Sequence, residues 1–159
     1  MKLFCYSIFF PLIVGFGQSS KPVDTHYFLD PGIKIGYAFG ENGGLFYGLE
    51  LSYVITGPDS KHPSYGLTFS YDFLPTSHRI HVGAEFLSPF AGIDIGPSLL
   101  LNESTNLYGL SLTTFAGIFI LPHYQLSLLS DGVITHEVGS FVKVPIQLDH
   151  YNYNWRNSD

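Results

Sequence analysis

The chain has almost no cysteine: among its 159 residues, only Cys5 carries a thiol. Cys5 lies inside an apolar N-terminal segment, and a mature chain beginning at Gln18 would contain no cysteine at all. A disulfide scaffold, a thiolate metal site and a cysteine nucleophile are therefore excluded for such a mature protein. Cys5 is also too close to Met1 to be a lipoprotein acylation site, since no apolar segment precedes it.

Charged side chains are scarce as well, at 13% of residues, about half the share in ordinary soluble domains. Basic residues are the rarer kind, with 7 Lys and Arg against 13 Asp and Glu and a formal net charge of -6. This acidic balance argues against binding a nucleic-acid backbone by charge. The low charge, together with 16% aromatic residues, also argues against a disordered chain.

Long hydrophobic runs are missing too. The apolar stretch from Leu3 to Val14 contains Pro11 and is too short for a membrane anchor, which needs about 20 apolar residues. Lys2 before the stretch and a Gly-Phe-Gly sequence ending at Gly17 are typical of a secretory signal peptide with a small-x-small cleavage site. We therefore predict an exported protein whose signal peptide is cleaved after about Gly17.

Beyond Pro31 the hydropathy alternates with a period of two residues. In the first segment Ile33 and Ile35 share one face while Lys34 and Gly36 share the other, as in a half-buried strand. Eight such segments follow one another, separated by turns rich in Gly, Asn, Ser and Pro. The sequence thus predicts an all-β domain over 31–148, with a signal peptide over 1–17, a lead-in over 18–30 and a tail over 149–159.

One stretch has an alternative interpretation. The residues from Leu107 to Leu121 carry no charge and could form a short membrane helix. The pair Thr113–Thr114, the glycines at 109 and 117, Pro122 and the period-two alternation all favour a strand.

The two faces of the predicted strands differ in an unusual way. The apolar face is nearly continuous and rich in Tyr and Phe, whereas the polar face is mostly Gly, Ser and Thr with isolated charges. A soluble barrel would instead present a charged face to water. We therefore predict an eight-stranded antiparallel up-and-down transmembrane β-barrel, with lipid contacts outside and a narrow polar lumen filled by side chains.

The isolated charges on the polar face are predicted to pair inside the lumen. Lys34 is expected opposite Glu50. Asp72 is expected to face His81, with Arg79 one pair along. Glu85 and Asp94 should approach each other across Ser88–Pro89, so that one is protonated or a cation from Arg79 or Lys143 lies between them. We name these predicted structural residues the lumenal charge network: Lys34, Glu50, Asp72, Arg79, His81, Glu85, Asp94, Glu137 and Lys143.

With these residues in view, the chain resembles the small eight-stranded outer-membrane barrels of the OmpA/OmpX type. The resemblance covers roughly Pro31 to Leu148 and lies in strand number, alternation, lumenal charge pairs and the signal peptide. The chain also looks like uncharacterised small barrel proteins of Gram-negative bacteria with hairpins of the GIKIGYAFGENGG type. The resemblance implies a bacterial outer-membrane location and a folded barrel, without a particular activity.

Catalytic, metal and cofactor sites are not predicted. Ser70, Asp72 and His81 could point into the lumen together as a hydrolase triad, but lumenal hydrogen bonding explains these residues better. The seven histidines are scattered, and His78 and His81 face opposite sides of one strand. The glycines at 40–44 join two strands without a following helix and form a turn, not a phosphate cradle.

The predicted function is therefore that of a monomeric outer-membrane barrel with a structural or unassigned role in the cell envelope. Its partner is the lipid bilayer, with no nucleic acid and no cofactor. Two alternatives stay open at this point: an exported soluble barrel that binds an apolar ligand inside, and a lumenal lipid hydrolase.

Overall fold

The computed structural model describes residues 25–40, 43–57, 63–102, 105–118 and 120–148. The predicted signal peptide and the C-terminal tail lie outside the described residues. Within the described ranges the chain folds into β-strands joined by turns. The strands are β1 His26–Phe39, β2 Gly44–Thr56, β3 Ser64–Phe73, β4 Ser77–Leu87, β5 Ala91–Asn102, β6 Asn106–Ala116, β7 Ile120–Leu129, β8 Ile134–Lys143 and β9 Ile146–Gln147.

The strands close into one antiparallel barrel that follows the order of the chain. Each of β1 to β7 pairs with its successor, and β1 also pairs with β8. The two-residue β9 continues β8 after a break at Val144–Pro145 and pairs with Phe28 and Leu29 of β1. The break contains Pro145, which has no N–H to donate to the ladder. The predicted eight-stranded up-and-down barrel is confirmed.

The stretch with an alternative helical interpretation covers most of β6 and the beginning of β7. Leu107 lies in β6, and Leu121 lies in β7, so the helix alternative is wrong. In the part of the chain that the structure describes, no helix is long and apolar enough to cross a membrane.

The first strand begins earlier than predicted. Its first residue is His26, opposite Thr56 at the end of β2, so part of the predicted lead-in belongs to the barrel wall. Pro31 does not interrupt β1, because a proline removes only one hydrogen-bond donor and keeps its carbonyl. That carbonyl accepts a hydrogen bond from the N–H of Val144 at 3.0 Å.

Side chains alternate between the outside of the barrel and its lumen, as the hydropathy predicts. In β2, Glu50 and Ser52 are buried while Leu49 and Leu51 are exposed. The charged side chains of the strands all occupy positions of the lumenal phase, and the outward positions of the described strands contain no Asp, Glu, Lys or Arg. The fold therefore surrounds a charged interior with an uncharged apolar surface.

The barrel has two ends that differ in their connections. At the four-turn end, β1 connects to β2, β3 to β4, β5 to β6 and β7 to β8. At the terminal end, β1 begins, β8 and β9 finish, and the other three connections are made.

Candidate functional site in the barrel lumen

The lumenal charge network lies inside the barrel. Eight of its nine members are buried, and the side chain of the ninth, Lys143, is 9% exposed. The members come from β1, β2, β3, β4, β5 and β8, and several ion pairs join strands that are not neighbours in the sheet. An unpaired charge in such an interior would be very costly, so the partners of each group decide what the site can do.

Asp72 is the centre of the part of the network nearer the four-turn end, and its side chain is fully buried. Its Oδ1 lies 2.7 Å from Nζ of Lys34, and its Oδ2 lies 2.6 Å from Nη2 of Arg79. Nζ of Lys34 also donates to Oγ of Ser70 at 3.1 Å and lies 3.8 Å from a carboxylate oxygen of Glu50. Asp72 therefore pairs with two cations from two different strands.

Arg79 reaches across the lumen from β4 to β8. Its two terminal nitrogens donate to both carboxylate oxygens of Glu137, with Nη2 at 2.6 Å from Oε2. Its Nε donates to Asp72 at 3.0 Å. Among side chains, only a guanidinium can donate two parallel hydrogen bonds to the two oxygens of one carboxylate in this way. Because β4 and β8 lie on opposite sides of the barrel, the pair ties the two walls together.

Lys143 forms a second crosslink, nearer the terminal end. Its Nζ lies 2.7 Å from a carboxylate oxygen of Glu50 and 2.7 Å from one of Glu85, and it donates to Oγ of Ser52 at 3.1 Å. Glu85 also accepts a hydrogen bond from the hydroxyl of Thr68 at 3.3 Å. Lys143 thus joins β8 to β2 and to β4.

Glu85 lies directly opposite Asp94, at the position expected from the turn at Ser88–Pro89. The two carboxylates bind different partners. Lys143 pairs with Glu85, while Nε2 of His81 lies 2.9 Å from Oδ2 of Asp94. The expected cation is therefore present for Glu85 only, and a histidine occupies the corresponding place beside Asp94.

Two of the predicted strand registers are wrong by two residues. Lys34 pairs across the ladder with Gly48, not with Glu50, and Asp72 pairs with Arg79, not with His81. The predicted turns are centred one residue too late: Ala38, not Gly40, is the residue opposite Gly44, and the β3–β4 turn is centred on Pro75–Thr76, not on Thr76–Ser77. A shift of two residues keeps every side chain on its face, which is why the same groups still meet inside the lumen.

The lumen contains an aromatic cluster that the alternation of polarity does not predict. His123 stacks on Phe141 with ring centroids 4.1 Å apart, and Phe115 meets Phe141 edge-on at 5.7 Å. Phe46 lies edge-on to His123 at 6.3 Å, and the ammonium group of Lys143 lies 5.2 Å from the ring of Phe115. The signal was available: these aromatic residues occupy the polar phase of their strands, where the sequence otherwise has Gly, Ser and Thr.

The hydrolase triad is not assembled. Ser70 lies opposite His81 in the ladder, but the hydroxyl of Ser70 accepts a hydrogen bond from Lys34 and the imidazole of His81 pairs with Asp94. Asp72 binds cations and not the imidazole. All three side chains are buried. The geometry therefore supports structural hydrogen bonds and ion pairs of these residues in the lumen.

Gly96 of β5 lies against the backbone of β4 with no room for a side chain, and this gives a testable prediction. A Cβ on Gly96 would overlap the carbonyl of Val82 and come within 2.5 Å of Cα of Gly83. Since backbone atoms cannot move aside cheaply, Gly96→Ala is expected to destabilise the barrel by about 1–3 kcal/mol. Urea unfolding in detergent micelles measures the change.

Gly32→Ala is the matched control for that variant. Its Cβ would lie 3.0 Å from Cγ of Lys143 and 3.2 Å from the carbonyl oxygen of Val142, contacts that a shift of a few tenths of an ångström relieves, so the effect should be smaller. Equal unfolding midpoints for the two variants would contradict the role assigned to Gly96.

No family model and no curated protein matches the chain. One solved structure, from work on the de novo design of transmembrane β-barrels, is similar at 11% sequence identity and a TM-score of 0.42. The similarity covers 80% of this chain and 100% of that chain.

Proposed function

We propose that this protein is a membrane-spanning barrel of the bacterial outer membrane, exported through its signal peptide, with a structural or otherwise unassigned role in the cell envelope. One observation carries the proposal. The described strands have no Asp, Glu, Lys or Arg on their outer surface, while the lumen holds the charged side chains of the strands. This inversion suits a protein whose surrounding solvent is hydrocarbon.

The outer surface supports the proposal by its chemistry. Soluble monomers rarely expose an apolar patch larger than a few hundred Å². Here large apolar side chains are exposed on every one of the eight wall strands. Leu49 and Ile33, which pair near the middle of β2 and β1, are 60% and 63% exposed. In water this surface would drive aggregation, whereas in a bilayer it contacts lipid tails.

Aromatic residues lie toward both ends of the outer surface. Near the terminal end the exposed rings include Tyr27 and Tyr53, which stack with centroids 6.2 Å apart. Near the four-turn end they include Tyr37, Phe39 and Tyr108. Membrane barrels carry such girdles at the two lipid–water interfaces.

The length of the wall fits a hydrocarbon layer. Tyr27 and Tyr37 are ten residues apart in β1, which corresponds to about 33 Å along the strand. With a strand tilt of about 40° this becomes about 25 Å along the barrel axis, the height of the apolar band in outer-membrane barrels. The wall strands of 10 to 14 residues are thus long enough to cross.

The side chains inside the lumen favour a closed barrel and not an open pore. Arg79 and Glu137 bridge opposite walls, and Lys143 bridges them again nearer the terminal end. Between charges, the ring of Phe141 contacts His123 and Phe115. Eight strands leave an interior just wide enough for side chains, and these side chains fill the lumen between the Arg79–Glu137 pair and Lys143. The protein acts as a monomer whose partner is the lipid bilayer.

The soluble alternative has less support. A soluble barrel with an apolar ligand inside requires the Tyr, Phe and Leu face to point inward. In the described strands that face points outward, with Tyr47 60% and Leu67 64% exposed.

Fractionation of cells that express the full chain tests the proposal. We expect the protein in the outer-membrane fraction, with different gel mobility before and after boiling because a detergent-resistant barrel stays folded until heated. A variant lacking residues 2–17 should stay in the cytoplasm. A periplasmic protein that is soluble without detergent and shows no mobility change would refute the proposal and favour the soluble alternative.

A further inference from the structure

Two of the three connections at the terminal end are apolar. The β4–β5 turn has the sequence Ser88-Pro89-Phe90, and the β6–β7 turn begins with Gly117 and Ile118. Phe90 and Ile118 are each 67% exposed. The N–H of Gly117 donates to the carbonyl of Phe90 at 2.9 Å, so the two turns form one surface. We name this surface, Phe90 with Gly117 and Ile118, the apolar rim.

The connections at the four-turn end have a different chemistry. Three of those four connections carry one acidic residue each in the sequence, namely Glu41, Glu103 and Asp131. At the terminal end, the connections 88–90 and 117–119 contain no charged residue, whereas the connection 57–63 contains Asp59 and Lys61. The apolar rim is therefore a local feature of the β4–β7 side of the barrel and not a general property of the turns of this chain.

The apolar rim continues the outer surface of the wall without a break. Ala91 and Ala116, the exposed strand residues next to the turns, pair with each other. Beyond Ile118, Ile120 is 64% exposed and pairs with Val142, which is 51% exposed. An exposed apolar surface that is continuous in this way marks a contact with a partner or a membrane. The rim thus extends the surface that the proposed function assigns to lipid.

The stagger of the strands gives the height of the rim along the barrel. Cross-strand partners traced from Tyr27 once around the barrel return to β1 at Tyr37, ten residues nearer the four-turn end. The intermediate partners are, in order, Ile55, Tyr65, Phe86, Ile93, Thr114, Tyr124 and Val138. A row of partners therefore climbs toward the four-turn end by about 1.25 residues per strand.

This climb places the apolar rim at the level of exposed tyrosines. The row has climbed about five residues at Ile93 and about six at Thr114. Phe90 is three residues back from Ile93, and Ile118 is four residues back from Thr114. Both therefore lie about two residues, or ~5 Å along the axis, above the start of the row. Tyr65, an exposed ring at the terminal end of β3, lies about 2.5 residues above the same start.

The side chains of the rim differ from those of the tyrosine girdle in one respect. The hydroxyl of Tyr53 favours a position between lipid and water, whereas Phe90 and Ile118 have no polar side-chain atom. At a similar height they are more stable on the acyl-chain side of the interface. We propose that the apolar rim anchors the barrel in the bilayer, with Phe90 and Ile118 among the acyl chains just beneath the lipid headgroups. This inference rests on the proposed membrane location.

Tryptophan fluorescence in vesicles tests the depth of the rim. Trp155 is the only tryptophan of the chain, so Trp155→Phe provides a background without fluorescence from tryptophan. In that background, Phe90→Trp and Ile118→Trp report on the apolar rim. Leu49→Trp reports on the middle of the wall, and Thr76→Trp reports on an exposed turn at the four-turn end. The full chain is folded into phosphatidylcholine vesicles and quenched by lipids brominated near either end of the acyl chain, or by iodide on both sides of the membrane.

We expect Phe90→Trp and Ile118→Trp to be quenched most by bromine near the headgroup end of the acyl chain and to be protected from iodide. Leu49→Trp should be quenched most by bromine near the methyl end, and Thr76→Trp by iodide alone. Iodide quenching of either rim variant as strong as that of Thr76→Trp would overturn the proposal. Protection from both quenchers would overturn it too, because a second copy of the chain would then cover the turns. Failure of the membrane location itself is recognised separately, since bromine would then not quench Leu49→Trp either.

Discussion

Arg79→Ala is expected to lower the free energy of unfolding by about 3–5 kcal/mol, because it leaves two buried carboxylates without their cation. Arg79 is 2% exposed and is bound by Asp72 and Glu137. After its removal Asp72 keeps Lys34 as a partner. Glu137 keeps none that the described residues provide, since both of its oxygens bind Arg79. The loss is therefore dominated by the uncompensated charge of Glu137.

Urea unfolding in micelles, followed by the folded and unfolded bands on a gel, measures the loss. His78→Ala is the matched control, because His78 precedes Arg79 on β4 and its exposed side chain faces outward. A loss below 1 kcal/mol for Arg79→Ala, or one equal to that of His78→Ala, would contradict the role of the ion pairs.

A double variant separates charge from packing. Glu137→Leu combined with Arg79→Leu removes both partners and replaces them with apolar groups of similar size. The double variant should lose less stability than Arg79→Leu alone, since replacing a whole buried pair is often close to neutral. Additive losses would mean that the two side chains act independently, and the crosslink between β4 and β8 would have no energetic role.

The sequence predicts which face each charge occupies better than it predicts which charges pair. The face depends only on odd or even position, so Lys34 and Glu50 lie in the lumen even though the predicted register is wrong by two residues. The pairs between distant strands, such as Arg79 with Glu137, depend on strand tilt and stagger around the closed barrel. The sequence of a single hairpin does not determine the tilt and stagger of all eight strands.

The aromatic cluster and the lumenal leucines near the four-turn end could not be predicted from the average polarity of a face. A face of a strand is judged polar or apolar from most of its residues. Phe46 and Leu100 are single apolar residues on faces that are otherwise polar, so the pattern gives them no separate role. Position alone places both side chains in the lumen. What they do there depends on which side chains meet them from other strands: Phe46 meets His123, whereas Leu100 borders open space.

Leu49→Arg is the substitution that most directly tests which solvent surrounds the barrel. Leu49 lies near the middle of β2 on the outer surface and is 60% exposed. On a water-facing surface an arginine here would change stability by no more than about 0.5 kcal/mol. In a bilayer the same guanidinium lies in the hydrocarbon midplane, and the expected loss is about 2–4 kcal/mol.

Leu45→Arg supplies the depth control for this prediction. Leu45 lies on the outer face of the same strand, close to the four-turn end, and is 76% exposed. Near the lipid–water interface the loss should fall to about 0–1 kcal/mol, because the guanidinium can reach water and headgroups. Unfolding of the variants in phospholipid vesicles measures both values. Equal losses at the two positions would contradict a membrane-spanning wall, because only a hydrocarbon layer makes the cost of one charge depend on its height along a strand.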